Sequence, residues 1–206
     1  MRATMLVATI VLALFAFADD PPTPQTPPPP PNFGPAVFCE GQYALCIKAA
    51  CSPIVTRNTD GTYSITQANC SCDVLDGWSM GPGTCHSRKP STVNGRTYLV
   101  STYSNFFNGT NLTLTCDNAT WAWCYGSPCV VDEKDPSKAV CTCPVKTSKT
   151  LLLGNCRTQM CNGIWSGATL AANKFANNHF YNYMTEHNLQ PPPEPPANEC
   201  PEIAND

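Results

Sequence analysis

The sequence predicts a small disulfide-rich fold, mainly β with short helices, built as two tandem duplicated modules plus a C-terminal helix. Three observations predict it. Fourteen cysteines fall in 206 residues, a density that suits bridge-stapled chains of oxidising compartments. Twelve of them form two near-identical runs, Cys39, Cys46, Cys51, Cys70, Cys72, Cys85 and Cys116, Cys124, Cys129, Cys141, Cys143, Cys156. Each run reads Cys-x4-Cys, a gap, Cys-x-Cys, twelve residues and a final Cys. Lastly, β-rich runs flank turn signals inside each module.

The chain opens with Arg2, an apolar run from Met5 to Phe17 and a small-x-small site at Ala16-Phe17-Ala18. That pattern reads as a secretory signal peptide over 1–18. The run is too short to span a bilayer of roughly 30 Å, so membrane insertion is not expected. Residues 19–37 form a Pro-rich spacer of polyproline II composition. Module 1 then covers 38–104, module 2 covers 105–166, and 167–206 holds a helix and a Pro-rich tail.

In module 1, Cys39, Tyr43 and Cys46 recur at helical spacing, so a short helix is expected over Cys39 to Cys51, ended by Pro53. Ile54–Arg57 and Thr62–Thr66 flank Asn58-Thr59-Asp60-Gly61, a hairpin signal. The returning strand enters Cys70-Ser71-Cys72, whose two cysteines are read as stapling opposite faces. Module 2 repeats the plan: Trp121-Ala122-Trp123-Cys124 answers Tyr43-Ala44-Leu45-Cys46, and Cys141-Thr142-Cys143-Pro144-Val145 answers Cys70-Ser71-Cys72-Asp73-Val74. These matches predict an internal duplication. Three bridges can close within each module, with connectivity open. Cys161 and Cys200 remain, and their simplest use is to clip the C-terminal segment. Thr169 to His187 has helical composition, with Ala172, Phe175, His179, Tyr183 and His187 along one face.

Net charge is −3, and charged residues make up 13% of the chain. Nucleic acid and anionic membranes are therefore not expected partners. Four sequons occur, at Asn69, Asn108, Asn111 and Asn118, and the last three suggest a glycosylated loop between the modules. The Cys-x-Cys spacing does not suit a zinc site, and no metal or cofactor is expected. The chain lacks a phosphate loop, a nucleophile elbow and a paired-histidine helix. With every cysteine partnered, no catalytic thiol is expected, and the chain reads as a non-enzyme.

The aromatics carry the functional expectation. Flat rings stack on the apolar faces of sugars, and a disulfide module has few other large side chains for its core. Trp78, between Asp76-Gly77 and Ser79-Met80, reads as a loop residue and the first candidate for exposed stacking. Trp165, Trp121, Trp123 and Tyr125 complete the set. Trp121 and Trp123 would share a face if extended.

A signal peptide followed by two adjacent cysteine-rich modules, Cys39–Cys85 and Cys116–Cys161, with tryptophans near them, resembles the Leo-type lectins of amoebal cyst walls. The first run carries fewer cysteines than the modules of that family. The resemblance implies a secreted, non-catalytic protein of an extracellular wall or matrix that binds cellulose- or chitin-like polysaccharide through aromatic residues. The alternative is a secreted protein-binding module such as a protease inhibitor, with Arg57 to Gly61 as its contact loop.

Overall fold

A computed structural model of the protein describes residues 36–104, 113–153 and 163–189. The fold is mainly β, with one helix among the described residues. The signal peptide, most of the spacer, Asn108, Asn111, Cys156, Cys161 and Cys200 lie outside them.

The first cysteine run builds one long interrupted hairpin. Strands β1 (Val37–Leu45) and β2 (Ala50–Arg57) both pair antiparallel with β3 (Tyr63–Gly81), β1 along its second half and β2 along its first. Residues 46–49 break the pairing between them. The tip is the expected hairpin turn at Asn58–Gly61, where Asn58 N–H donates to Thr62 O at 2.8 Å. The helix expected over Cys39 to Cys51 does not form. A spacing of four then three is helical, yet β1 instead satisfies its backbone against nine consecutive residues of β3. Gly41 and Gly77 face each other in that ladder at φ 139° and 141°, values that glycine adopts without the penalty a Cβ brings.

The second run has the same layout. Strands β6 (Thr113–Ala122) and β7 (Pro128–Val131) both pair antiparallel with β8 (Lys138–Leu153), and residues 123–127 break the pairing. The two hairpins share one sheet. Strand β3 pairs antiparallel with β8, with Cys70 opposite Cys141. On the other side β9 (Ile164–Ser166) lies antiparallel to β2 and parallel to β6. The pairings β3–β2–β9–β6–β8–β3 thus run in a closed circuit, which leaves these five strands no unpaired side at their centre. A small hairpin, β4 (Ser91–Val93) and β5 (Arg96–Val100), extends the sheet from β7.

Bridges close where the hairpins are interrupted. Cys39–Cys85, Cys46–Cys72 and Cys51–Cys70 nest inside one another, and Cys124–Cys143 and Cys129–Cys141 nest likewise. Cys116 is also bridged, and no free cysteine occurs among the described residues. The two cysteines of each Cys-x-Cys do not face opposite ways, as expected above. Side chains alternate along a strand, so residues i and i+2 share a face. Cys70 and Cys72 both point inward around exposed Ser71, and Cys141 and Cys143 do the same around Thr142. The central core consists largely of these half-cystines with Ala44, Ala49, Ala122 and Ala139, plus Leu99. Small side chains let the two bridge layers approach, and the covalent links supply what a thin apolar core cannot.

The helix forms where the sequence places it. It is α1 (Leu170–Glu186), with Thr169 as N-cap accepting from Ala172 N–H at 3.2 Å. Its buried face is Ala172, Ala176, Phe180 and Met184, not the expected stripe through Phe175 and His179, both of which are exposed. The true stripe advances by four residues each time and packs on Met80, with Phe38, Trp78 and Tyr103 around it. Phe38 stacks on Tyr183 with ring centroids 3.9 Å apart, and Tyr103 meets Phe180 edge-on at 6.0 Å. The Tyr103 hydroxyl also bonds Asn177 Oδ1.

Candidate functional site

The structure divides the five expected stacking residues. Trp78 is not in a loop. It lies within β3 opposite Glu40, and its ring packs on Tyr183 of the helix at 5.6 Å. Trp165 and Trp121 are register partners in β9 and β6 and are only 5% and 3% exposed. They form a second small core with Cys116, Ala119 and Leu152, and the Trp121 indole N–H donates to Ser148 Oγ at 3.1 Å. Trp121 and Trp165 pack the interior and Trp78 is half-buried against the helix, because a bridge-rich core has few other large apolar side chains.

Trp123 and Tyr125 remain at the surface, each half-buried. They sit on the 123–127 segment that interrupts the second hairpin. Its backbone is fixed by three hydrogen bonds, one to Pro144 and two to Ser101. Trp123 N–H donates to Pro144 O at 2.9 Å, Gly126 N–H to Ser101 O at 2.8 Å, and Ser101 N–H to Ser127 O at 2.9 Å. Trp121, Trp123 and Tyr125 then follow at alternate positions. Trp123 meets buried Trp121 edge-on at 6.0 Å and 84°, and Tyr125 lies 6.0 Å beyond it. The row runs from core to surface, so the two outer rings are held by the inner one.

These rings line a groove of about 80 Å³ between the start of α1 and the two interrupted segments. Leu45, Ile47, Leu151 and Ala172 make its apolar walls, and Ser101 and Asn173 add polar groups. Ser101 Oγ donates to Cys46 Sγ at 3.3 Å. Burial pushes the Tyr125 phenol up to about 12, while the nearby Arg88 guanidinium pulls the other way. The phenol is therefore neutral at ordinary pH. Such a groove can take an apolar face against two rings with a few polar contacts at its rim.

Two sequons can be placed. Asn118 is exposed at φ 55°, inside the β-bulge between Cys116 and Ala119. Asn69 lies in the β3 ladder, where its Oδ1 accepts from Thr142 Oγ at 3.0 Å. The sulfurs of Cys46, Cys72 and Cys124 lie within 4.8 Å of one another, as do those of Cys70, Cys124 and Cys143. Each is already spent in a bridge, so the cluster offers no thiolate to a metal. His86 and His179 are exposed. His179 packs tilted against Phe175 at 3.9 Å, and Tyr183 likewise against His187 at 4.3 Å.

Arg88 is the residue that sequence reasoning missed. Flanked by His86, Ser87, Lys89 and Pro90, it reads as part of a solvated turn, yet it is 6% exposed. Its only signal is spatial, since the groove residue Tyr125 lies within its electrostatic reach. No helix among the described residues is long and apolar enough to cross a membrane, and the bridges suit an oxidising, extracellular setting. No protein family, curated protein or solved structure matches this chain.

Proposed function

We propose that this is a secreted, non-catalytic carbohydrate-binding protein of an extracellular wall or matrix, similar in layout to the Leo-type lectins. Its ligand is a cellulose- or chitin-like polysaccharide, and the two hairpins are copies of one ancestral unit. The observation that carries the reading is the pair Trp123 and Tyr125. They are half-buried rings that line a groove, whereas Trp121 and Trp165 are buried in the core and Trp78 packs against the helix. A pyranose presents an apolar face that suits such rings, and half-buried Asn173 can bond its hydroxyls. The signal sequence and the bridges support secretion, and of the two described sequons Asn118 is the better placed to carry a glycan.

The test is retention of the oxidised protein on insoluble cellulose and chitin. Trp123→Ala and Tyr125→Ala should each weaken retention by about tenfold or more, since stacking on one ring contributes on the order of 1–2 kcal/mol. Trp78→Phe should leave it unchanged. Equal retention of all variants, or none by the native protein, rejects the reading.

One observation favours a second reading, that of a protein-binding module such as a protease inhibitor. The β2–β3 tip exposes Val55, Tyr63 and Ile65 at 58%, 69% and 43%, next to a stiff turn. There the Thr62 hydroxyl and N–H donate to Asp60 Oδ1 at 2.6 and 2.9 Å, which hold that carboxyl below the usual range. Inhibition across a protease panel, abolished by Arg57→Ala, decides for it.

A further inference from the structure

Arg88 poses a charge problem that the fold does not solve. Its guanidinium is buried behind Cys39–Cys85, and only one of its bonds is made, Nη2 donating to Val37 O at 2.9 Å. Nε and Nη1 are buried with no hydrogen-bond partner, and the adjacent Thr102 hydroxyl is in the same state. Burial works against the charged form, and the nearby Tyr125 phenol acts in the opposite sense. Another buried ion, Asp73, is treated differently. It is met by Lys138 at 2.7 Å. Leaving a guanidinium buried and uncompensated is strongly unfavourable.

The guanidinium packs against the Gly81 backbone, where a Cβ would stand 2.1 Å from Arg88 Nη1 and 2.5 Å from Thr102 Cγ2. A cavity of about 40 Å³ opens there, lined by Arg88, Thr102, Ser79 and Gln42 and also by the charged side chains of Glu40 and Lys89, against the roughly 10–15 Å³ needed for one water. Thr102 also lines the Trp123–Tyr125 groove, so the two spaces adjoin.

We propose that Arg88 and Thr102 form a binding site for a small anion, a carboxylate or an inorganic oxyanion. The planar fork of the guanidinium matches two oxygens of such a group, and the Thr102 hydroxyl supplies a further donor. The site stands independently of the polysaccharide reading, although a carboxylate borne on a sugar in the adjoining groove is one source of the anion.

The probe is thermal unfolding of the oxidised protein at constant ionic strength. Acetate or sulfate replaces a bulky sulfonate buffer anion too large for the cavity. A ligand that binds only the folded state raises Tm saturably. A saturable rise of several degrees is expected for the native protein, none for Arg88→Met, and a rise needing severalfold more anion for Thr102→Val. Should Arg88→Met fail to fold, the Thr102→Val shift in midpoint decides alone. Glucuronate and glucose are then compared. A rise with glucuronate alone identifies a sugar-borne carboxylate, whereas a rise with acetate but not glucuronate identifies a free small anion, and both uphold the site. A native Tm indifferent to every anion, or variants that shift as the native protein does, overturns it.

Discussion

Two regions of this molecule solve the same burial problem by opposite means. At the meeting of the hairpins the core is half-cystine and alanine, with almost no large side chain. Under α1 the core is Met80, Phe180 and Met184 wrapped by Phe38, Trp78 and Tyr103. The first region buries little apolar area per residue and relies on links that restrict the unfolded chain. The second has no bridge among its described residues and relies on area and ring geometry. The difference teaches where each kind of damage will be felt. The bridge layer is sensitive to reduction and tolerant of heat, while the ring layer is sensitive to truncation and indifferent to redox state.

The largest expected effect breaks the comparison at the bridge layer. Replacing Cys46, Cys72, Cys124 and Cys143 together by alanine removes two bridges, each contributing on the order of 2–5 kcal/mol. A domain of ordinary stability does not survive that sum. The variant should be unfolded by circular dichroism at 25 °C, and a cooperative unfolding transition would contradict the account. The ring layer comes next. Phe180 is 1% exposed, and Phe180→Ala should cost about 3–5 kcal/mol in denaturant unfolding of the oxidised protein. Adding reductant should destabilise native and variant proteins by equal amounts if the regions are separable.

A pH titration sharpens the comparison between the layers at a third point. Tyr43, beneath β1, is 2% exposed and donates to Ser104 Oγ at 2.8 Å. Burial raises its pKa to about 12 from 10.0. A folded pKa above the unfolded one means that the native state holds its proton longer. The associated stability is complete below pH 10 and is lost as pH rises toward 12. At full expression it amounts to about 3 kcal/mol. Tyr103 shifts upward too, by burial. Near-ultraviolet absorbance should show Tyr43 and Tyr103 ionising only with unfolding. Tyr43→Phe should flatten the alkaline loss of stability.

The comparison also explains what could be read from the sequence. Features set by a few adjacent residues were legible. Asp60-Gly61 marks the β2–β3 tip, and Thr169 and the prolines after His187 bracket α1. Features set by partners far along the chain were not. Cys39, Tyr43 and Cys46 carry helical spacing, and nothing local reveals that β3 will claim them. The β3–β8 register and the insertion of β9 between β2 and β6 depend on pairings between residues 44 to 115 positions apart. The aromatic site was half legible. Trp123 and Tyr125 belong to a set of five that residue type selects, but type cannot separate rings that replace a missing core from rings left at the surface. Trp78 sits beside glycine and polar residues, the composition of a loop. Gly77 there serves a paired position opposite Gly41 instead.

The smallest effect concerns the place where the two layers touch. Leu151 N–H donates to Ala168 O at 2.7 Å, and Gly167 N–H to Ala122 O at 3.0 Å. The segment just before α1 is thus pinned to β8 and to the end of β6, beside Trp123. Thr169 then caps the helix, and Ala172 and Asn173 of its first turn wall the groove. Thr169→Ala should cost about 1 kcal/mol of stability by leaving Ala172 N–H without its cap. Hydrogen exchange should quicken in the first turn of α1 and not in β3 or β8, whose ladders are locked by bridges. If the groove wall is part of the binding surface, polysaccharide retention should fall slightly in this variant, and Thr169→Ser should restore both. Quickened exchange spread evenly over the bridge layer would show that the two regions unfold as one unit.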